Sequence, residues 1–134
     1  MEENNKHSSL KVVVVDDSDF SRSIVIKMLK TENFNVVGEA ASAASALQVI
    51  KDKKPHVVIT DIVMPEISGI ELTERINQDF DDIYVIVISS LSQEHVVLEA
   101  IGAGAADFIA KPINQQQLVD SLDKIISQIK KDSL

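Results

Sequence analysis

Apolar positions along this 134-residue chain alternate between short dense runs and longer stretches at helical spacing. Leu10 to Val15 is apolar apart from Lys11, the pattern of a strand covered on both faces. Ser18 or Asp19 can cap a following helix in which Phe20, Ile24 and Met28 recur every four residues, running to about Glu32 with Asn33 as its stop. Val36-Val37 predicts a short second strand ending before Gly38. Ser42 can cap an alanine-rich helix from Ala43 to Asp52, which the cations and proline of Lys53-Lys54-Pro55 bring to an end. A third strand, Val57 to Asp61, follows at once. From Ile67, the residues Leu72, Ile76 and Phe80 fall on one helical face, and Asp81-Asp82 turns the chain into a fourth strand, Ile83 to Ile88. Ser92 can cap a helix through Ile101, closed by Gly102 and Gly104. Phe108 to Ala110 predicts a last strand that stops at Lys111-Pro112, and Leu118, Leu122, Ile125 and Ile129 mark a closing amphipathic helix.

Strand and helix thus alternate five times. Parallel strands need crossover connections, so this order predicts an α/β fold: a single-domain flavodoxin-like (βα)5 sandwich with helices on both faces of a five-stranded parallel sheet. The expected strand order is 2-1-3-4-5, with the binding crevice at the carboxyl ends of strands one and three. The folded domain is expected over residues 10–131, after a flexible polar segment 1–9 and before a tail 132–134.

Composition narrows the function. A net charge of -8 argues against a nucleic-acid binder or an anionic-membrane binder and favours a divalent cation or a basic protein surface. The chain has no cysteine, which excludes disulfides, thiolate metal sites and a thiol nucleophile and allows a reducing compartment. Met1 to Ser9 has no signal-peptide core and no stretch approaches the ~18 apolar residues of a membrane span, so the expectation is a cytoplasmic protein with no membrane insertion. His7, His56 and His95 show no ligand-like spacing and are assigned no chemistry.

Candidate chemistry collects at one rim. Asp16-Asp17, Asp61, Ser89 and Lys111 each end a different predicted strand, and so meet along one edge of the sheet. Crowded carboxylates repel unless a cation sits among them, and Mg2+ suits a few carboxylates, waters and phosphate oxygens. A carboxylate is also a competent nucleophile for phosphoryl transfer, with an ammonium to offset charge on the transferred oxygens. Taken singly, Asp16-Asp17 reads as a solvated turn, Ser89 as a backbone-bonded hydroxyl, Lys111 as a surface charge and Phe108 as core.

Five separated motifs stand in an order that resembles the receiver domain of two-component response regulators. They are Val14-Val15-Asp16-Asp17-Ser18; Ile59-Thr60-Asp61-Ile62-Val63-Met64-Pro65 with Gly69; Val87-Ile88-Ser89-Ser90; Gly104-Ala105-Ala106-Asp107-Phe108; and Ala110-Lys111-Pro112. The resemblance spans about Lys11 to Lys130 and is nearest to stand-alone chemotaxis receivers, with the Ser89-Ser90-Leu91-Ser92 stretch also resembling the receiver of chemotaxis methylesterases. It implies that Asp61 accepts a phosphoryl group from a histidine kinase. Mg2+, with Mn2+ as a substitute, would be held by Asp17, Asp61 and the Val63 backbone carbonyl, and by Asp16 through water. Lys111, Ser89 and Ser90 would bind the phosphoryl oxygens, Ser89 and Phe108 would form the switch, and Val63 and Leu91 would tune phosphoryl lifetime. Lys111-Pro112 is expected to be cis by this resemblance.

The same resemblance implies an output face on the fourth helix, fifth strand and fifth helix. It also implies an output partner such as a flagellar motor component, a phosphatase or a histidine phosphotransfer protein, and a protein that is a monomer or weak dimer and not an enzyme beyond its own phosphorylation and dephosphorylation. Val96, Val97, Leu98 and Ile101 give the fourth helix more apolar surface than one buried stripe needs. Two other readings stand beside the receiver: a phosphorelay intermediate, and a haloacid-dehalogenase-like phosphatase using Asp17-Ser18-Asp19. A flavodoxin-like cofactor binder lacks its phosphate loop after strand one.

Overall fold

The computed structural model describes residues 6–132. Five strands, β1 (Lys11–Val15), β2 (Asn35–Ala40), β3 (Val57–Asp61), β4 (Tyr84–Ser89) and β5 (Asp107–Ala110), pair in parallel in the order β2-β1-β3-β4-β5. They alternate with α1 (Asp19–Thr31), α2 (Ala43–Lys53), α3 (Gly69–Asp79), α4 (Glu94–Gly102) and α5 (Gln115–Asp132). The flavodoxin-like α/β fold expected from the alternation is the fold found.

The continuous apolar runs are explained by two cores, one on each face of the sheet. Successive side chains point to opposite faces, so Val12, Val14, Val57 and Ile59 pack with Leu29 of α1 and Leu118 and Leu122 of α5. Val13, Val15, Val58, Val85 and Val87 pack on the other face with Ile50 of α2, Leu72 of α3 and Ala100 of α4. Three of the helices open on a serine whose hydroxyl accepts an early backbone N–H: Ser18 from Ser21, Ser42 from Ser45 and Ser68 from Glu71.

Three expectations need correction. β2 does not end before Gly38 but runs on to Ala40, with a bulge between its pairings to Val12 and Val13. Gly38 is there for close approach, because a Cβ on it would meet Val49 Cγ1 of α2 at 2.6 Å. Ser92 does not cap α4: the loop first curls through a Leu91 N–H to Ser89 Oγ bond of 2.9 Å, and the helix opens later, at Gln93, with no side-chain cap. The polar segment 1–9 is anchored from Lys6 onward. Residues 6–8 form a helical turn, and His7 is buried, stacked on Phe34 with ring centroids 4.1 Å apart. Its Nδ1 lies 2.7 Å from the Glu32 carbonyl oxygen and its Nε2 2.9 Å from Asp123 Oδ1. The rest of that segment, residues 1–5, lies outside the described residues. So do residues 133–134 of the expected tail, whereas Asp132 is the last residue of α5 and accepts a hydrogen bond from the Tyr84 hydroxyl at 2.9 Å. No helix among the described residues is long and apolar enough to cross a membrane.

Candidate functional site

Strand register brings the polar strand ends together. Val15 pairs with Thr60, Asp61 with Ile88 and Ser89 with Ala110, so residues 16, 61, 89 and 111 share one rim. Side-chain alternation then sorts them: Asp61 continues the phase of Val57 and Ile59 toward α1 and α5, while Ser89 continues that of Val85 and Val87 on the other face.

Asp16, Asp17 and Asp61 each present a carboxylate oxygen, all within 4.8 Å of one another. Asp16 is buried, Asp17 exposed and Asp61 intermediate. Lys111 Nζ lies 3.3 Å from Asp61 Oδ2 and 3.6 Å from Asp16 Oδ2. One ammonium among three carboxylates leaves excess negative charge, and such a set of hard oxygen donors fits a divalent cation such as Mg2+. Burial raises the Asp61 carboxyl above its ordinary value; the charge of Lys111 opposes this, and that of Asp16 adds to it. Asp61 Oδ1 accepts the Ile62 N–H at 2.8 Å.

The backbone around the acids is held from several directions. Asp16 Oδ1 accepts the Ser18 N–H at 2.9 Å, fixing the turn into α1. Beyond Asp61, the chain returns so that Gly69 N–H donates to the Ile62 carbonyl at 2.8 Å, and a Cβ on Gly69 would be driven into the Asp61 carbonyl oxygen. That glycine stood in the sequence only as part of a motif; its role is to let α3 start against the strand end. Arg22 went unremarked in the sequence, where it reads as one polar residue on a helix, yet its Nη1 donates to the Asp16 carbonyl at 2.7 Å.

The remaining site residues lie around this cluster. Ser89 is fully buried, with its hydroxyl accepting from Leu91 N–H, and its carbonyl accepts the Lys111 N–H at 2.9 Å. Ser90 is exposed, and the side chains of Val63 and Leu91 are 58% and 40% exposed. Phe108 is partly buried against the core under α2, α3 and α4; it pairs with Val87, which makes Ser89 its diagonal neighbour on the same face. The Lys111-Pro112 bond is cis. Asp19 of the Asp17-Ser18-Asp19 stretch is 91% exposed and pairs with Arg22, so it is no part of the acid cluster. None of the three histidines joins that cluster either: His56 Nδ1 accepts the Lys11 N–H at 2.9 Å, and burial, then the charge of Lys11, lowers its pKa.

Residues 12–123 match the response regulator receiver domain family. The chemotaxis protein CheY of Thermotoga maritima is 36% identical over 115 residues, covering 86% of this chain and 96% of the relative. A protein-glutamate methylesterase/protein-glutamine glutaminase of Clostridium acetobutylicum is 37% identical over 124 residues, covering 90% of this chain but 36% of that relative. Among solved structures, the CheX-CheY complex of Borrelia burgdorferi with BeF3 and Mg2+ superposes with a TM-score of 0.82 at 29% identity, over 87% of this chain and 88% of that one. The response regulator domain of Thermotoga maritima CheB gives 0.75 at 35% identity, over 89% and 94%. The chain therefore belongs to the response regulator receiver domain family.

Proposed function

We propose that this protein takes a phosphoryl group from a histidine kinase onto Asp61 and passes the signal on by a change of its α4-β5-α5 face. Receiver domains of this family work in two-component signalling with histidine kinases and output proteins and bind Mg2+ at an acidic pocket. The observation that carries the reading is the placing of Asp61, ringed by Asp16, Asp17 and Lys111 at a strand end.

In the proposed step an Asp61 carboxylate oxygen attacks phosphorus. The new O–P bond forms as the N–P bond of the phosphohistidine breaks, and the imidazole leaves with the bonding pair and is protonated by solvent. Asp16, Asp17 and Asp61, with the Val63 carbonyl, would hold Mg2+, which when bound supplies positive charge against the phosphoryl oxygens. Lys111, whose ammonium already lies against Asp61 and Asp16, supplies a second cation. Asp61 is held for attack by the Ile62 N–H on one oxygen and by Lys111 beside the other. A shallow cavity of about 220 Å³ beside Lys111, lined by Ile24, Met28, Pro112 and Ile113, offers a donor protein an apolar seat.

The switch would act through Ser89. In its present position the hydroxyl is bound to its own loop, at the Leu91 N–H. Turning it toward an added phosphoryl group, together with Ser90, releases that bond and frees space on the sheet face it shares with Phe108. The side chains of Leu98 and Ile101 on α4, 62% and 47% exposed, give the output face apolar surface for a partner such as a motor component, phosphatase or histidine phosphotransfer protein. The chemotaxis setting is supported by the CheY relatives. Phosphotransfer from an autophosphorylated histidine kinase in the presence of Mg2+ tests the reading: label should appear on this chain as a hydroxylamine-labile acyl phosphate, and label that persists in Asp61→Asn refutes it.

A further inference from the structure

We infer that Arg22 is a positioning residue for the metal-binding loop, holding Asp16 and Asp17 in place by tying their backbone to the edge strand β2. The inference rests on the Mg2+ site proposed above. The Arg22 side chain is 14% exposed and spreads its donors over three acceptors on three segments. Its Nη1 donates to the Asp16 carbonyl at 2.7 Å, its Nη2 to Asp19 Oδ1 at 2.7 Å and its Nε to Glu39 Oε1 of β2 at 2.7 Å. Asp16 is fastened to the same strand from its other side, since its N–H donates to the Ala40 carbonyl at 3.1 Å. The Arg22 N–H in turn closes the turn onto the Ser18 carbonyl at 2.9 Å. The turn carrying the two acids is therefore clamped at Asp16 N, at Asp16 O and, through Asp16 Oδ1, at Ser18 N. Only the planar fork of an arginine serves three such directions at once.

Charge alone makes the opposite prediction. A cation beside an acidic cluster competes with a bound metal, so removing Arg22 should tighten Mg2+ binding if electrostatics governs it. If positioning governs, removal weakens binding, because the turn carrying two of the three carboxylates keeps its Asp16 N–H bond to β2 but loses the second link, from the Asp16 carbonyl through Arg22 to Glu39. The two accounts differ in sign.

The test is metal affinity without phosphorylation, measured by electron paramagnetic resonance titration of Mn2+ and by calorimetry with Mg2+. It uses the wild-type chain, Arg22→Gln, Arg22→Lys, Glu39→Gln and Asp17→Asn, each checked for folding by circular dichroism. Arg22→Gln should weaken binding by roughly tenfold, the low end of what losing an outer support of a metal ligand costs. Arg22→Lys keeps the charge and loses the fork, and should weaken binding in the same direction; Glu39→Gln removes a charge but keeps a side-chain oxygen to accept from Arg22 Nε, so the tie to β2 survives and affinity should stay within about twofold of wild type. Affinity in Arg22→Gln that is unchanged or tighter overturns the inference while leaving the metal site standing. Wild type that binds no metal, or binds as Asp17→Asn does, overturns both.

Discussion

Replacing Asp61 by Asn should stabilise the metal-free protein, because the folded state confines a charge that it does not fully compensate. Asn has the same shape and can keep the Ile62 N–H bond to its side-chain oxygen. At an effective dielectric of about 20, like charges near the 4.8 Å limit of this cluster repel by roughly 3–4 kcal/mol per pair. Asp17 is exposed and screened, so the Asp16 term dominates. The ammonium of Lys111 at 3.3 Å returns roughly 5 kcal/mol on the same scale. The Asp16 repulsion and the screened remainder of the Asp17 repulsion together roughly offset the attraction, the burial of the Asp61 charge remains, and neutralising it should gain about 1–2 kcal/mol, or roughly 3–8 °C in melting temperature for a domain of this size. The assay is thermal unfolding by circular dichroism in EDTA at pH 7.5. Because the folded carboxyl binds its proton more tightly than the unfolded one, whose ordinary value is 3.8, the penalty is absent in acid, where both are protonated. It sets in as pH rises past the unfolded value and is complete once the folded group has ionised. The gap between variant and wild type should therefore be full at pH 7.5 and close toward pH 4. A variant no more stable than wild type in EDTA at pH 7.5 would refute this account of the cluster.

Four further outcomes are expected. Mg2+ should raise the wild-type melting temperature, with about 2.7 kcal/mol at a hundredfold excess over the dissociation constant, and Asp17→Asn should blunt the rise; an equal rise in both would speak against these ligands. Gly69→Ala should cost at least about 2–3 kcal/mol in urea unfolding, since the Asp61 carbonyl that blocks its Cβ is backbone and cannot swing away. Val63→Asn should shorten phosphoryl lifetime, because a polar group there can orient attacking water where valine cannot; a radiolabel chase with identical decay in both proteins contradicts the tuning role. His7→Ala should cost about 1–3 kcal/mol in the same urea assay by removing the ring stacked on Phe34 and both of its polar contacts, and no loss would mean the N-terminal turn adds nothing to the fold.

The parts of the fold that were legible in the sequence are those governed by local pattern. Val12 to Val15 and Val85 to Ile88 are apolar at every position because each run feeds two cores, and that doubling marks a covered parallel strand. The rim followed from the same pattern, since an acid or lysine directly after such a run has to sit at a strand end. What stayed hidden depends on contacts between distant segments. Gly38 reads as a strand breaker until Val49 is known to press against it. His7 reads as part of a loose polar start, and only Phe34, Glu32 and Asp123, brought together by the fold, give it a pocket. Arg22 reads as solvent-facing, yet its partners lie on the β1 end, on its own helix and on β2. Ser89 was placed correctly at its strand end, but that its hydroxyl is held by Leu91 N–H is settled by the loop conformation.

The central claim is that Asp61 carries the phosphoryl group, and intact mass measurement after incubation with a small phosphodonor, with and without Mg2+, addresses it directly. Wild type should gain the mass of one phosphoryl group only when Mg2+ is present, and Asp61→Asn should gain none. A gain of the same size in Asp61→Asn, or none in wild type with Mg2+ supplied, would contradict it.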